Sequence, residues 1–205
     1  MKNLLLVVSL LVTLCTINAQ DAKIELETHY GSENKELQDL MRFQGVETIK
    51  LNFSGADLIG KNYRVLIKEY TNGSLAQTDT IVDSATYSYT PAVQDSLFEF
   101  KYYVKMQRKT SIKMNFLFDR FSIERNYDIK ANADAYALHD FLGGHKTIPI
   151  KFGTPTFLLG YFLPYIDEAT GWKKYCEVSG STIKPEDWGI NFKIPNYFLV
   201  EIKFE

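Results

Sequence analysis

Strict alternation of apolar and polar side chains along much of the chain constrains its fold more than any other feature. Phe98, Phe100, Tyr102, Val104 and Met106 fall on one side of an extended segment, with Glu99, Lys101, Lys105 and Gln107 on the other. Ile112, Met114, Phe116 and Phe118 repeat the pattern beyond a short polar linker at 108–111. Side chains of a strand point to opposite faces in turn, so the pair predicts an antiparallel hairpin with one buried face.

A second hairpin is predicted at Asn72-Gly73. These residues accept the two positive φ angles of a type I′ turn, whose twist matches that of its strands. A two-residue loop would set Ile67 against Thr78, Val65 against Thr80 and Tyr63 against Val82. Further strands are expected at 24–28, 48–53, 86–89, 147–152, 173–178 and 197–204. The stretch 157–163 is apolar on both faces and reads as a central strand covered on both sides.

Helices look minor. Residues 33–43 place Leu37, Leu40 and Met41 at helical spacing, with Ser32 as a cap. Residues 134–142 place Leu138, Phe141 and Leu142 together, and Gly143-Gly144 would stop the helix. The span 119–128 fits either class.

These elements predict an all-β protein, mainly an antiparallel β-sandwich of immunoglobulin-like or jelly-roll-like form, with two or three short helices. The polar stretch 126–134 is the best boundary, dividing a (sub)domain at 20–129 from a β-rich (sub)domain at 130–205. The two could equally be continuous. A small outer-membrane barrel is the architectural alternative, since the last strand ends like a barrel terminus at Ile202-Lys203-Phe204. The final Glu205 and the helical segments argue against it.

The first 19 residues read as a secretory signal peptide. Lys2 gives the positive start and Leu4 to Leu14 the apolar run, which is shorter than the roughly 20 residues of a membrane helix. Ala19 supplies the small residue before cleavage at Gln20, and this ending resembles those of exported bacterial proteins. Lipid attachment at Cys15 is disfavoured by the bulky Leu14 before it. The mature chain is therefore expected to be secreted or periplasmic, with no transmembrane helix after signal removal.

With the leader gone, Cys176 is the one cysteine left, so the fold must rest on its apolar core. Cys176 itself reads as a small buried hydrophobe. A formal net charge of −2 gives no electrostatic footprint for nucleic acid. No cofactor motif is present. His139 and His145 are six apart rather than the four that would align them on a helix face, so no metal site is assigned. Asp128, Asn132 and Asp134 lack the glycine and distal glutamate of a calcium loop. No Gly-x-Ser-x-Gly elbow occurs, so no catalytic residue is assigned. Asn52-Phe53-Ser54 and Asn72-Gly73-Ser74 match a glycosylation pattern incidentally.

The aromatic residues carry the functional expectation. Trp172 and Trp188 sit in turn-like settings, and an exposed indole can stack on a flat ligand face. Tyr175, Asp187 and Asn191 are its expected polar partners. The chain therefore reads as a non-enzymatic binding or structural module, with a glycan or an envelope protein as partner. A small secreted hydrolase acting on glycans or peptides, using acids such as Asp167 or Glu186, is the alternative.

Overall fold

The computed structural model describes residues 24–108, 110–129 and 135–205. The segment 1–19 read as a signal peptide, with its Cys15, and Asn132 and Asp134, the latter the first residue of the second expected helix, lie outside them.

The strands form two open antiparallel sheets. The first contains β1 (Ile24–Tyr30), β2 (Val46–Ser54), β5 (Leu97–Arg108), β6 (Ser111–Phe118), β7 (Ser122–Asp128) and β9 (Thr147–Ile150). Its spatial order is β7-β6-β5-β2-β1-β9. The second contains β3 (Tyr63–Thr71), β4 (Ser74–Asp83), β8 (Ala137–Asp140), β10 (Thr156–Phe162) and β13 (Asn196–Phe204), in the order β4-β3-β13-β10-β8. Residues on both sides of 129 contribute to each sheet. Ile49, Leu51, Phe100, Tyr102 and Phe116 of the first sheet meet Val65, Phe198 and Val200 of the second in one continuous core. This all-β sandwich is the predicted fold class. Its apolar side is enclosed between two sheets, the reverse of a membrane barrel that turns apolar side chains to lipid. No helix among the described residues is long and apolar enough to cross a membrane.

The 98–118 hairpin forms in the expected register, with Tyr102 opposite Phe116 and Val104 opposite Met114. The outer face of this sheet is polar, and Lys50 meets Glu99 at 2.7 Å while Lys113 meets Glu124 at 2.6 Å. Asn72 and Gly73 have φ of 51° and 79°, as the turn requires. The register beyond that turn departs from expectation. Thr71↔Ser74 and Tyr70↔Leu75 follow it, but bulges then shift the pairing so that Ile67 faces Asp79 and Val65 faces Val82. Each bulge places an extra residue on β4, and such irregularity is common on edge strands.

Five further expectations are corrected. Residues 86–89 are a turn, because the Asp83 carbonyl accepts from the N–H of both Thr86 and Tyr87 at 3.1 Å. The helix expected around Leu138 is β8, with Leu138 facing the core and His139 the outer side. The segment 173–178 pairs only at Lys173–Lys174, the strand β12, and then turns into a short helix at Cys176–Ser179. That helix buries Val178 and leaves Cys176 exposed, so the cysteine is not a core residue. The first helix, α1 (Lys35–Phe43), does form, but its cap is Asn34, whose side chain accepts from the Leu37 N–H at 3.1 Å.

The 33-residue excursion at 163–195 connects two hydrogen-bonded neighbours, β10 and β13. It folds back over the outer face of the second sheet. Val178, Trp188 and Ile194 pack there on Tyr70, Phe162, Tyr197 and Leu199, forming a second apolar cluster. That covering layer explains why 157–163 is apolar on both faces. Gly160 belongs to the same contact: a Cβ there would lie 3.3 Å from both the Trp188 and Phe141 rings.

Candidate functional site

The two sheets are laced together along both sides. On one side the Asp79 carboxylate of β4 accepts from Arg125 Nε at 2.8 Å and from the Tyr127 hydroxyl at 3.0 Å, both on β7. On the other, the outward N–H groups of β8 are taken up by side chains of the first sheet. Leu138 N donates to Glu47 Oε2 at 3.0 Å, and Asp140 N donates to the Tyr30 hydroxyl at 2.7 Å. The Asp140 carboxylate accepts from Thr28 Oγ1 at 2.7 Å. These side chains satisfy donors that an edge strand would otherwise present bare.

A cleft of about 840 Å3 opens beside that second seam. Tyr30, Glu47 and Tyr161 line it from the sheets, Tyr136 from the position just before β8, and Gln38 and Arg42 from α1. The helix is held over the cleft by Met41, its buried residue, and by Gln38, whose Oε1 accepts from Ser32 N at 2.8 Å. Tyr136 and Tyr161 stack with centroids 5.2 Å apart and an interplanar angle of 20°. The Tyr136 hydroxyl donates to Asn196 Oδ1 at 2.6 Å, which fixes its ring. Tyr30 is 54% exposed, so its ring edge is open to solvent.

Electrostatics sharpen the cleft. Burial pushes the Glu47 carboxyl above the ordinary glutamate range, and the Leu138 N–H offsets part of this. Burial and the nearby Asp140 charge also raise the Tyr30 phenol. Arg42 makes no ion pair among the described residues, so its guanidinium faces the cleft uncompensated. Beneath the cleft, the wholly buried Tyr102 hydroxyl finds no partner among the described residues, and burial together with Tyr161, Tyr127 and Glu47 holds its phenol well above its usual value.

The residues singled out in the sequence do not form one site. Trp188 is 1% exposed and anchors the second apolar cluster, so its indole is unavailable for stacking on a ligand. Trp172 is 72% exposed on the β11–β12 ribbon (Tyr165–Ile166 and Lys173–Lys174). Tyr175 stacks on His139 with centroids 5.5 Å apart, and its hydroxyl donates to the Ala135 carbonyl at 2.6 Å. That burial lowers the His139 pKa. Asn191 spends its amide on the Asp187 carbonyl at 3.0 Å, within one helical turn. Among the described residues no three His, Cys, Asp or Glu side chains gather as a metal site.

Sequence reasoning missed the cleft because its residues come from five separate segments. Tyr30 and Glu47 continue the alternation of their strands, which placed them only on a face. A scan against protein-family models, a search of curated proteins and a search of solved structures each found no match to this chain. The functional reading therefore rests on the site.

Proposed function

We propose that this chain is a non-enzymatic recognition module of an exported protein, and that the tyrosine-lined cleft binds a glycan. The observation that carries the reading is the juxtaposition, in the cleft beside the β8 seam, of stacked tyrosine rings, an uncompensated Arg42 and a single half-buried carboxyl, Glu47. The exposed Tyr30 ring offers an apolar surface to a sugar above a floor of buried Tyr136 and Tyr161, while guanidinium, carboxyl and phenol groups exchange hydrogen bonds with its hydroxyls. Hydrolysis of a glycan by the usual route needs two carboxyls facing each other across the bond. Glu47 is the one carboxyl lining this cleft, and the nearby Asp140 is committed to Thr28 and to the Leu142 N–H at 3.2 Å. This favours recognition over catalysis. The signal-peptide-like pattern at 1–19 supports a secreted or periplasmic location, and a mature chain beginning at Gln20 would test it.

A glycan array probed with the mature protein tests the binding reading. Arg42→Ala and Tyr30→Phe should each weaken a positive signal about ten-fold. Full retention in both would remove the cleft as the site. Trp172 supports a second reading, stacking on a ligand at the exposed ribbon. Loss of binding in Trp172→Ala alone would move the site there.

A further inference from the structure

At the far end of the sandwich lies a second, smaller pocket of about 280 Å3. Strand β5 connects the two, running from Leu97 beside this pocket to Met106 beside the cleft. Its wall is aromatic, with Phe98 and Phe121 half-buried and Tyr63 and Phe118 backing them, only 4% and 5% exposed. Tyr63 and Phe98 have centroids 4.4 Å apart, Phe98 and Phe118 6.3 Å, and Phe118 and Phe121 4.6 Å. These rings come from β3, β5, β6 and the β6–β7 turn, so four elements converge to build it.

The rim is acidic. Asp95, Glu99 and Asp119 surround the rings, with Arg120 as the one cation among the lining residues. Glu99 is neutralised by Lys50 at 2.7 Å. Asp95 uses one oxygen on the Ser96 N–H and hydroxyl, at 2.6 and 3.1 Å, and the other has no partner among the described residues. Asp119 is 92% exposed and only grazes Arg120, at 3.9 Å. Arg120 is itself 73% exposed, so water and salt screen it and the two exposed carboxylates alike. The rim keeps a net negative balance of two carboxylates to one guanidinium beside an aromatic wall.

Aromatic ring faces attract cations through their quadrupole, and the flanking carboxylates add direct charge attraction. The volume falls just below the roughly 300–1,000 Å3 of drug-sized sites, which suits a compact group. We propose that this pocket binds a small organic cation with an apolar body, such as a quaternary ammonium. The assignment is independent of the glycan reading and concerns the opposite end of the molecule.

Titration of the mature protein with choline, followed by NMR, tests it. Saturable shifts should centre on Phe98, Phe121 and Asp95. Neohexyl alcohol, which has the same shape without the charge, should bind at least about five-fold more weakly. Asp95→Asn combined with Asp119→Asn should lower choline affinity about five-fold, and both residues are exposed, so the fold should persist. Phe121→Ala should lower it about ten-fold. Equal binding of the alcohol, unchanged affinity in the double variant, or shifts mapping elsewhere would overturn the proposal. Tighter binding of α-acetyl-lysine methylamide than of choline would point to a protein side chain and overturn the small-ligand assignment.

Discussion

Glu47 on β2 accepts the backbone N–H of Leu138 on β8 at 3.0 Å, so a single carboxyl joins the edge of one sheet to the interior of the other. Its pKa is raised by burial, which means that folding favours the protonated form. The stabilisation linked to that shift is complete below the unfolded-state value of 4.5 and is lost as pH rises through the higher folded-state value. Glu47→Gln keeps an acceptor for Leu138 and abolishes the titration. Its stability relative to the native protein should therefore improve as pH rises from about 4 to 7. Glu47→Ala should cost about 1–3 kcal/mol by leaving Leu138 N unsatisfied. Urea unfolding across that pH range measures both. A pH-independent difference between native and Gln proteins would contradict the linkage.

Asp79 plays the corresponding part on the opposite seam. Its side chain is 22% exposed and serves both Arg125 and Tyr127. Asp79→Ala leaves the buried Tyr127 hydroxyl without its acceptor and should cost about 1–3 kcal/mol in equilibrium unfolding. A double-mutant cycle with Tyr127→Phe should recover part of that loss, because both partners are then absent.

The tip of the β3–β4 hairpin rests on the short helix Trp188–Asn191. A Cβ on Gly189 would come within 2.5 Å of Gly73 Cα and 2.6 Å of Gly73 N, both backbone atoms that cannot swing aside. Gly189→Ala should therefore destabilise by about 1–3 kcal/mol through overpacking. Gly73→Ala meets the Ile190 side chain at 2.7 Å and also carries a φ of +79°. Both variants should lower the melting temperature, whereas Gly171→Ala, with open space around it, should show only the strain of its φ of +70°. Calorimetry on the three proteins ranks them.

The two tryptophans should behave oppositely. Trp188→Ala empties the second apolar cluster and should cost about 3–5 kcal/mol. Trp172→Ala should change stability by no more than about 0.5 kcal/mol. Iodide should quench the fluorescence of the Trp188→Ala protein, if it folds, and of the native protein, but hardly that of Trp172→Ala. Strong quenching in the last would mean that Trp188 is open to solvent.

The sandwich was legible where burial imposes a period of two. Phe198, Val200, Ile202 and Phe204 face the main core as the alternation required. The pattern failed where local chemistry overrode it. Leu138, Phe141 and Leu142 have helical spacing, yet a strand and a turn send Phe141 to one apolar cluster and the leucines to the other. Trp188 follows a turn-forming Pro185-Glu186-Asp187, and only the packing of the excursion on Phe162 and Tyr197 shows that it is covered. The cleft was invisible for a different reason. Tyr30, Glu47 and Tyr161 are distant in sequence, and only the seam between sheets brings them together.

The excursion between β10 and β13 has a consequence for handling the protein. Its chain ends meet at the facing pair Phe162 and Tyr197, so a designer could excise it and rejoin the strands with a tight turn. Doing so would strip Tyr70, Phe162, Tyr197 and Leu199 of their shelter in one stroke. A trimmed molecule would keep its hydrogen-bond ladder but carry a sticky flank, and it should clump more readily than the intact chain.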